Sequence, residues 1–338
     1  VIFFIFDYAK KQHFKKRTLQ FKFELMYDLF QNTEVAYELK KTSQIRKSIF
    51  LFRLITKRFL VKTLSNTTLF FLKIGLPIKW LLKATIYEQF CGGISINECS
   101  ATIKKMMDKN VYSILDYSIE SLKDEKDFDN ACEKKLTIIK LSKENKLPFS
   151  VFKPTSIGSY ELYKRKSSKN ILDDEEKLNW LNIEKRFDKI FQYAKNQKVK
   201  VLVDAEEFEV QNAIDELVLK MMKKYNDGDE AIIYNTVQLY RKDRIEYLKK
   251  LIKLRNGYRL GFKLVRGAYM EKERQMSIEM GYESPICKTK DETDKNFNEA
   301  LKLLFNNISG LDLFVASHNE ESNYLVMDIM KKSSIKNN

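Results

Sequence analysis

The chain has 338 residues, 44% of them apolar, with only 10 glycines and 4 prolines; this excludes a disordered or low-complexity protein and leaves room for one large domain or two ordinary ones. The formal charge of +15 is uneven: residues 1–90 carry 17 Lys and Arg against 6 Asp and Glu, and the rest is nearly balanced. Two histidines and four cysteines without metal-type spacing (Cys91, Cys99, Cys132, Cys287) exclude a His-rich or zinc-type centre and fit reduced thiols in an intracellular protein.

Residues 1–90 read as a basic helical arm. Val1–Phe6 is too short for a membrane span, and the apolar run at 69–82 is broken by Lys73, Pro77 and Lys79. Ile45, Ile49 and Phe52 recur at helical spacing, with Arg53, Lys57, Arg58 and Lys62 on other faces. The surplus of basic residues suggests an anionic neighbour, nucleic acid or a membrane surface. A lysine-rich composition lowers the weight of a specific patch, and for the helices a cap packed on the main domain is preferred to a membrane-surface element. The first 45 residues hold one arginine, Arg17, unlike an Arg-rich transit peptide.

From about residue 105 strands alternate with amphipathic helices. The expected strands are Val111–Tyr117, Phe149–Lys153, Lys200–Asp204, Ala231–Leu239, Leu260–Val265 and Leu311–Ala316, with starts roughly 30 to 50 residues apart, room for a helix and its loops. The expected helices include 178–196, 210–225, 243–256 and 294–307. This alternation predicts an α/β fold with a parallel sheet. No Gly-rich turn follows the first strand, so an open dinucleotide-binding sheet is disfavoured. Most of a (β/α)8 barrel is the better fit, because polar residues stand at every strand end.

Those strand ends are Asp116 and Glu120; Lys153; Asp204 and Glu206; Gln238 and Tyr240; Lys263, Arg266 and Tyr269; and Ser317, His318 and Asn319. Lys153 and Asp204 fit a structural salt bridge or a charge pair beside a zwitterionic ligand. His318 with Asp116 would suit acid–base chemistry, but no nucleophile elbow accompanies them. The set is rich in hydrogen-bond donors, which suit an anionic or electron-rich cofactor.

Lys263-Leu-Val-Arg-Gly-Ala-Tyr269 resembles the signature strand of proline dehydrogenase. Phe90-Cys-Gly-Gly93, Ser113–Glu120, Val201-Leu-Val-Asp-Ala-Glu206, Asn235-Thr-Val-Gln-Leu-Tyr240 and Val315-Ala-Ser-His-Asn319 follow that family's order over about residues 90–325. The resemblance divides the chain into an arm, 1–90, and a proline dehydrogenase barrel, 91–338. It implies a distorted (β/α)8 TIM-type barrel with FAD bound at the strand ends. It further implies oxidation of L-proline to Δ1-pyrroline-5-carboxylate, electrons passing to a membrane quinone, as the first step of proline catabolism.

The same resemblance assigns residues. Lys153, Asp204, Lys263 and Tyr269 match positions beside substrate and flavin. Asp204, Gln238, Lys263, Val265, Gly267, Thr289, Lys290, His318 and Asn319 match cofactor contacts. Lys263 is Arg in many bacterial relatives, and Ser317 replaces the usual Thr. Neither a DNA-binding ribbon nor an aldehyde dehydrogenase domain accompanies these motifs. The implied partners are therefore proline, a quinone and possible peripheral membrane contact, without nucleic acid. The implied location is the cytoplasm or the inner face of a bacterial membrane, or alternatively the mitochondrion. The family's barrel continues through two more strands and a helix with a Tyr-x-x-Arg-Arg-x-x-Glu-Asn pattern that binds the proline carboxylate. The residues up to Asn338 lack it. About six strands of the barrel are thus expected, and the 338-residue chain by itself is expected to be inactive, as a fragment or as a non-catalytic remnant.

Overall fold

The computed structural model describes residues 4–6, 30–93, 96–116, 122 and 124–335. The chain falls into two compact units, Val1–Ser113 and Ile114–Asn338.

In the first unit, strand β1 (Phe4–Phe6) pairs antiparallel with β2 (Val111–Ser113). Helices α1 (Thr42–Ile55), α2 (Arg58–Lys73) and α3 (Ile96–Met107) lie between them in sequence. The chain leaves helix after Lys73 and re-enters it at Lys79, beyond Pro77, as proline's missing N–H and fixed φ dictate. Apolar side chains of α1 and α2 face outward. Leu51 is the buried residue of α1, while Phe59 is 80% exposed and Phe50, Phe52, Leu69, Phe70 and Trp80 are exposed as well.

The second unit is built on a parallel sheet of five strands in sequential order: β3 (Phe149–Phe152), β4 (Lys200–Val203), β5 (Ile233–Gln238), β6 (Leu260–Val265) and β7 (Leu311–Val315). Helix α4 (Glu125–Glu144) precedes it. The crossovers contain α5 (Tyr160–Ser167) and α6 (Asp174–Gln197), then α7 (Phe208–Tyr225), α8 (Arg244–Leu254), and α9 (Met270–Met280) with α10 (Lys290–Phe305); α11 (Glu320–Lys332) follows β7. Caps fix where these helices begin. Asp173 and Glu176 form a reciprocal capping box on α6, and the Thr289 hydroxyl accepts from Glu292 N at the start of α10.

One face of the sheet meets the helices. Phe152, Val203, Val237, Phe262 and Leu264 join Phe187, Phe191, Ile214, Val218 and Phe297 in the main core, with Phe152 edge-on to Phe187 at 5.5 Å. The other face is closed at its base by aromatics. Phe149 on β3 contacts Tyr234 at 5.5 Å and Phe314 at 5.0 Å. Since β3 and β7 are opposite edges of the sheet, the Phe149–Phe314 contact shows that it curls as a barrel wall does. The barrel is not closed among the described residues.

The first expected strand, Val111–Tyr117, needs correction. Only Val111–Ser113 is strand, and β1 takes it into a separate antiparallel ladder. A single parallel bridge, Leu115 to Ser150, continues toward the barrel sheet. A short strand is claimed by whichever partner offers ladder hydrogen bonds, and sequence pattern does not name that partner. Tyr117 and Glu120 lie outside the described residues.

Candidate active site

Alternation along parallel strands decides which side chains share the inner face. Thr236 stands opposite Lys263, which stands opposite Phe314. The register of β3 on β4 and of β4 on β5 extends the same rung to Asp204 and Lys153, each one residue past its strand. Lys153, Asp204, Thr236 and Lys263 therefore form one row across four consecutive strands. Lys263 Nζ lies 2.5 Å from Asp204 Oδ1, with the two side chains 6% and 19% exposed. Burial of both side chains holds the ammonium in one place against its carboxylate partner.

The next row is tied together by hydrogen bonds. Gln238 Nε2 donates to the Glu206 carbonyl at 2.8 Å. The Ala268 N–H donates to Gln238 Oε1 at 3.3 Å. Glu206 Oε1 and Oε2 accept from Thr155 N at 2.8 Å and Thr155 Oγ1 at 2.6 Å. Burial pushes the Glu206 carboxyl up to about 7, against the pull of the two Thr155 donors. Tyr269 is partly buried, and burial, then the charges of Glu206, Glu207 and Asp204, raise its phenol well above the usual range. It therefore keeps its proton at neutral pH. Beside the row, Lys135 of α4 pairs with Asp116 at 3.4 Å. Burial lowers the Lys135 ammonium pKa, opposed by Asp116.

Gly267 has a fold-level reason to be glycine. Its φ is +138°, and a Cβ there would come within 2.5 Å of the Tyr240 ring. Val265 is half-buried at the end of β6. Arg266 sits at the centre of a cross-link. Its guanidinium donates to Asp294 at 2.6 Å, Ser317 Oγ at 2.7 Å and Ser322 Oγ at 3.0 Å, and it covers the Phe297 ring at 4.4 Å. Lys290 pairs with the same Asp294. The exposed Thr289–Lys290 end of α10 is thus linked through Asp294 and Arg266 to the turn after β7. In that turn His318 is exposed and Asn319 caps α11, its Oδ1 accepting from Ser322 N at 2.9 Å.

The structure therefore brings Lys153, Asp204, Lys263, Gln238 and Val265 onto neighbouring rungs, with Tyr269 in electrostatic reach of Asp204. Thr289, Lys290, His318 and Asn319 stand apart from that row, on the α10 and α11 N-terminal sides. From sequence, Thr236 is not singled out, and Glu206 and Arg266 have no role beyond standing at strand ends. Thr236 lies between Asp204 and Lys263, where two-residue spacing from Gln238 would have placed it. Glu206 follows Asp204 at the same spacing. The three hydrogen-bond partners of Arg266 are far apart in sequence, and no local signal announces them.

Residues 99–338 match the family model described as proline dehydrogenase. A carbapenem antibiotics biosynthesis protein, CarD of Pectobacterium carotovorum subsp. carotovorum, is 36% identical over 241 residues, covering 70% of this chain and 63% of that protein. The mitochondrial proline dehydrogenase 1 of Dictyostelium discoideum is 29% identical, covering 90% of this chain and 61% of that protein. The chain thus spans about three-fifths of the length of these two relatives. Among solved structures, proline utilization A of Bdellovibrio bacteriovorus, inactivated by N-propargylglycine, superposes with a TM-score of 0.61 at 21% identity, over 74% of this chain and 27% of that one. At that identity the likeness concerns the fold, a TIM-type barrel. On the family-model match, this chain belongs to the proline dehydrogenase family.

Proposed function

We propose that the row of strand ends in the second unit binds FAD and L-proline, and that the protein oxidises proline to Δ1-pyrroline-5-carboxylate, with a membrane quinone as the onward electron acceptor. The observation that carries this reading is the Asp204–Lys263 pair, which spans Thr236 and has Lys153 beside Asp204 on the next strand, in a parallel sheet of the kind whose strand ends carry the chemistry of barrel enzymes. The residues fit a flavin. Thr236 Oγ1 is buried on that row with no hydrogen-bond partner, an unpaired group that a bound ligand would satisfy. FAD, when bound, supplies acceptance of the hydride that leaves proline C5.

Lys263 and Gln238 would hold the isoalloxazine ring, with Val265 and Gly267 contributing backbone atoms. Thr289, Lys290, His318 and Asn319 would hold the remainder of the cofactor. Asp204 fixes the Lys263 ammonium, so that a positive charge is in place where negative charge arrives. Lys153 and Asp204 give the substrate a cationic and an anionic neighbour, suited to a zwitterionic amino acid. Tyr269, protonated at neutral pH, offers a neutral donor and an aromatic face.

A membrane surface is the natural place for the first unit. The 49 residues between Glu38 and Glu88 contain no acidic residue, and the same stretch exposes Phe50, Phe59, Phe70 and Trp80. Basic charge with exposed aromatics is the composition of an interfacial element. No described helix is long and apolar enough to cross a membrane. The inner face of a bacterial membrane would serve, or a mitochondrial one, as the name of the Dictyostelium discoideum relative suggests.

The test is to purify the protein expressed from its complete gene. Yellow protein whose flavin is bleached anaerobically by L-proline is the expected result. Colourless protein that stays inactive after added FAD would defeat the reading.

A further inference from the structure

We propose that Glu206 is a positioning residue of this site, its carboxylate holding the turn that presents Lys153 and its backbone carbonyl holding Gln238, so that both are kept in register with the Asp204–Lys263 pair. The inference rests on the reading of this row as a flavin and proline site.

Geometry carries it. Thr155 lies two residues past Lys153, in a short 3₁₀ turn that starts at Pro154. A first-turn N–H has no partner inside its own helix, and here the Thr155 N–H goes to Glu206. The Thr155 hydroxyl goes to the other oxygen of the same carboxylate. Glu206 itself is 4% exposed and held from behind, its N–H donating to Gln211 Oε1 at 2.7 Å. Gln211 in turn donates to Asp215 at 2.7 Å, and Asp215 is paired with Arg244 at 2.6 Å. The clamp therefore has a rigid backing in α7 and α8. Three consecutive strand ends, those of β3, β4 and β5, meet at one residue in the row beyond the Asp204–Lys263 pair.

The clamp is also charge-dependent. Facing the carboxylate are Thr155 and Lys153 from the β3 turn, Glu207 from its own segment, Tyr163 from α5 and Tyr269 from beyond β6. Ionised, Glu206 accepts both Thr155 donors and attracts Lys153. Protonated, it keeps a weaker hold on the turn. Proline affinity is expected to rise with pH as the group ionises near 7.

The test uses protein expressed from the complete gene. Glu206→Gln keeps both contacts without the charge, because an amide oxygen accepts from the Thr155 N–H and the amide nitrogen donates to its hydroxyl. Glu206→Ala removes both. Without substrate, amide exchange at Thr155 should be slow in wild type and in the Gln variant, and about tenfold faster or more in the Ala variant, the loss expected for a charge-assisted hydrogen bond. With flavin bound, anaerobic titration with L-proline across about pH 6 to 8.5 should show an inflection near 7 in wild type that Glu206→Gln abolishes. Equal Thr155 exchange in all three proteins, or an inflection that survives in the Gln variant, would overturn the proposal. If the Ala variant does not fold, Thr155→Val replaces it; proline affinity equal to wild type in that variant also counts against the clamp. Wild-type flavin that proline fails to bleach would defeat the functional reading instead, and the exchange measurement would still decide Glu206.

Discussion

Helices α2 and α7 carry the same kind of amphipathic pattern and meet opposite fates. Helix α7 buries Val210, Ile214, Leu217, Val218 and Met221 against the sheet. Helix α2 and its surroundings leave Phe59, Leu69, Phe70 and Trp80 exposed. An apolar stripe states that a helix has a face to cover and says nothing of what covers it. In the second unit the cover is the protein's own sheet. In the first, the stripe stands among basic residues without an acidic one between Glu38 and Glu88.

The contrast can be broken by truncating one aromatic in each unit. Phe187→Ala removes a fully buried ring that touches Phe152 and Phe191 and should cost about 3–5 kcal/mol. Phe59→Ala, at a position 80% exposed, should stay within about 0.5 kcal/mol. Chemical denaturation of both variants measures this, and similar losses would mean that the Phe59 face is covered by protein after all. Within the second unit, Lys263→Met should slow flavin reduction by about 10²-fold or more while FAD content falls much less, since it removes one electrostatic contact made where charge develops. Stopped-flow reduction at saturating proline checks it, and an unchanged rate would remove Lys263 from that role.

Vesicle adsorption sharpens the other side. Wild type should bind anionic vesicles more weakly as salt rises, because exposed charges are screened over about 10 Å at 0.1 M. Phe59→Ser with Trp80→Ser should weaken binding at every salt concentration. Equal adsorption by a chain lacking residues 1–90 would assign the charge to composition alone. The smallest effect concerns pH and stability. The folded-state pKa of Glu206 is raised, from 4.5 to about 7. Its contribution is therefore fully present below about 4.5 and lost as pH rises through 7. Melting temperatures of Glu206→Gln should fall less over that interval than those of wild type.

Much of the second unit was legible because period-two and helical patterns there agree with the contacts actually made. The strands from Phe149 onward and the helices around 178–196 and 210–225 are found where their patterns place them, with ends shifted by a few residues. The strand at Val111 failed because its partner, Phe4–Phe6, is distant and was read only as too short to span a membrane. In the site, types and order of residues were visible at the strand ends, but contacts were not. Lys153 and Asp204 are expected from sequence as a charge pair, and the Asp204 carboxylate also meets Lys263, a contact the sequence does not announce. Asn319 looked like a cofactor ligand, and its side chain also caps a helix. Arg266 carried no role, because its partners are 28, 51 and 56 residues away.

Those separations have a consequence for the lifetime of the fold. Contacts that close long loops are entropically costly until most of the chain is in place, so the Arg266 cross-link belongs to the late part of folding. Interactions absent from the transition state act on the unfolding rate and barely on the folding rate. Arg266 is thus a brake on opening: it does little to help the barrel wall assemble, and it slows the departure of α10 and α11 once they have docked.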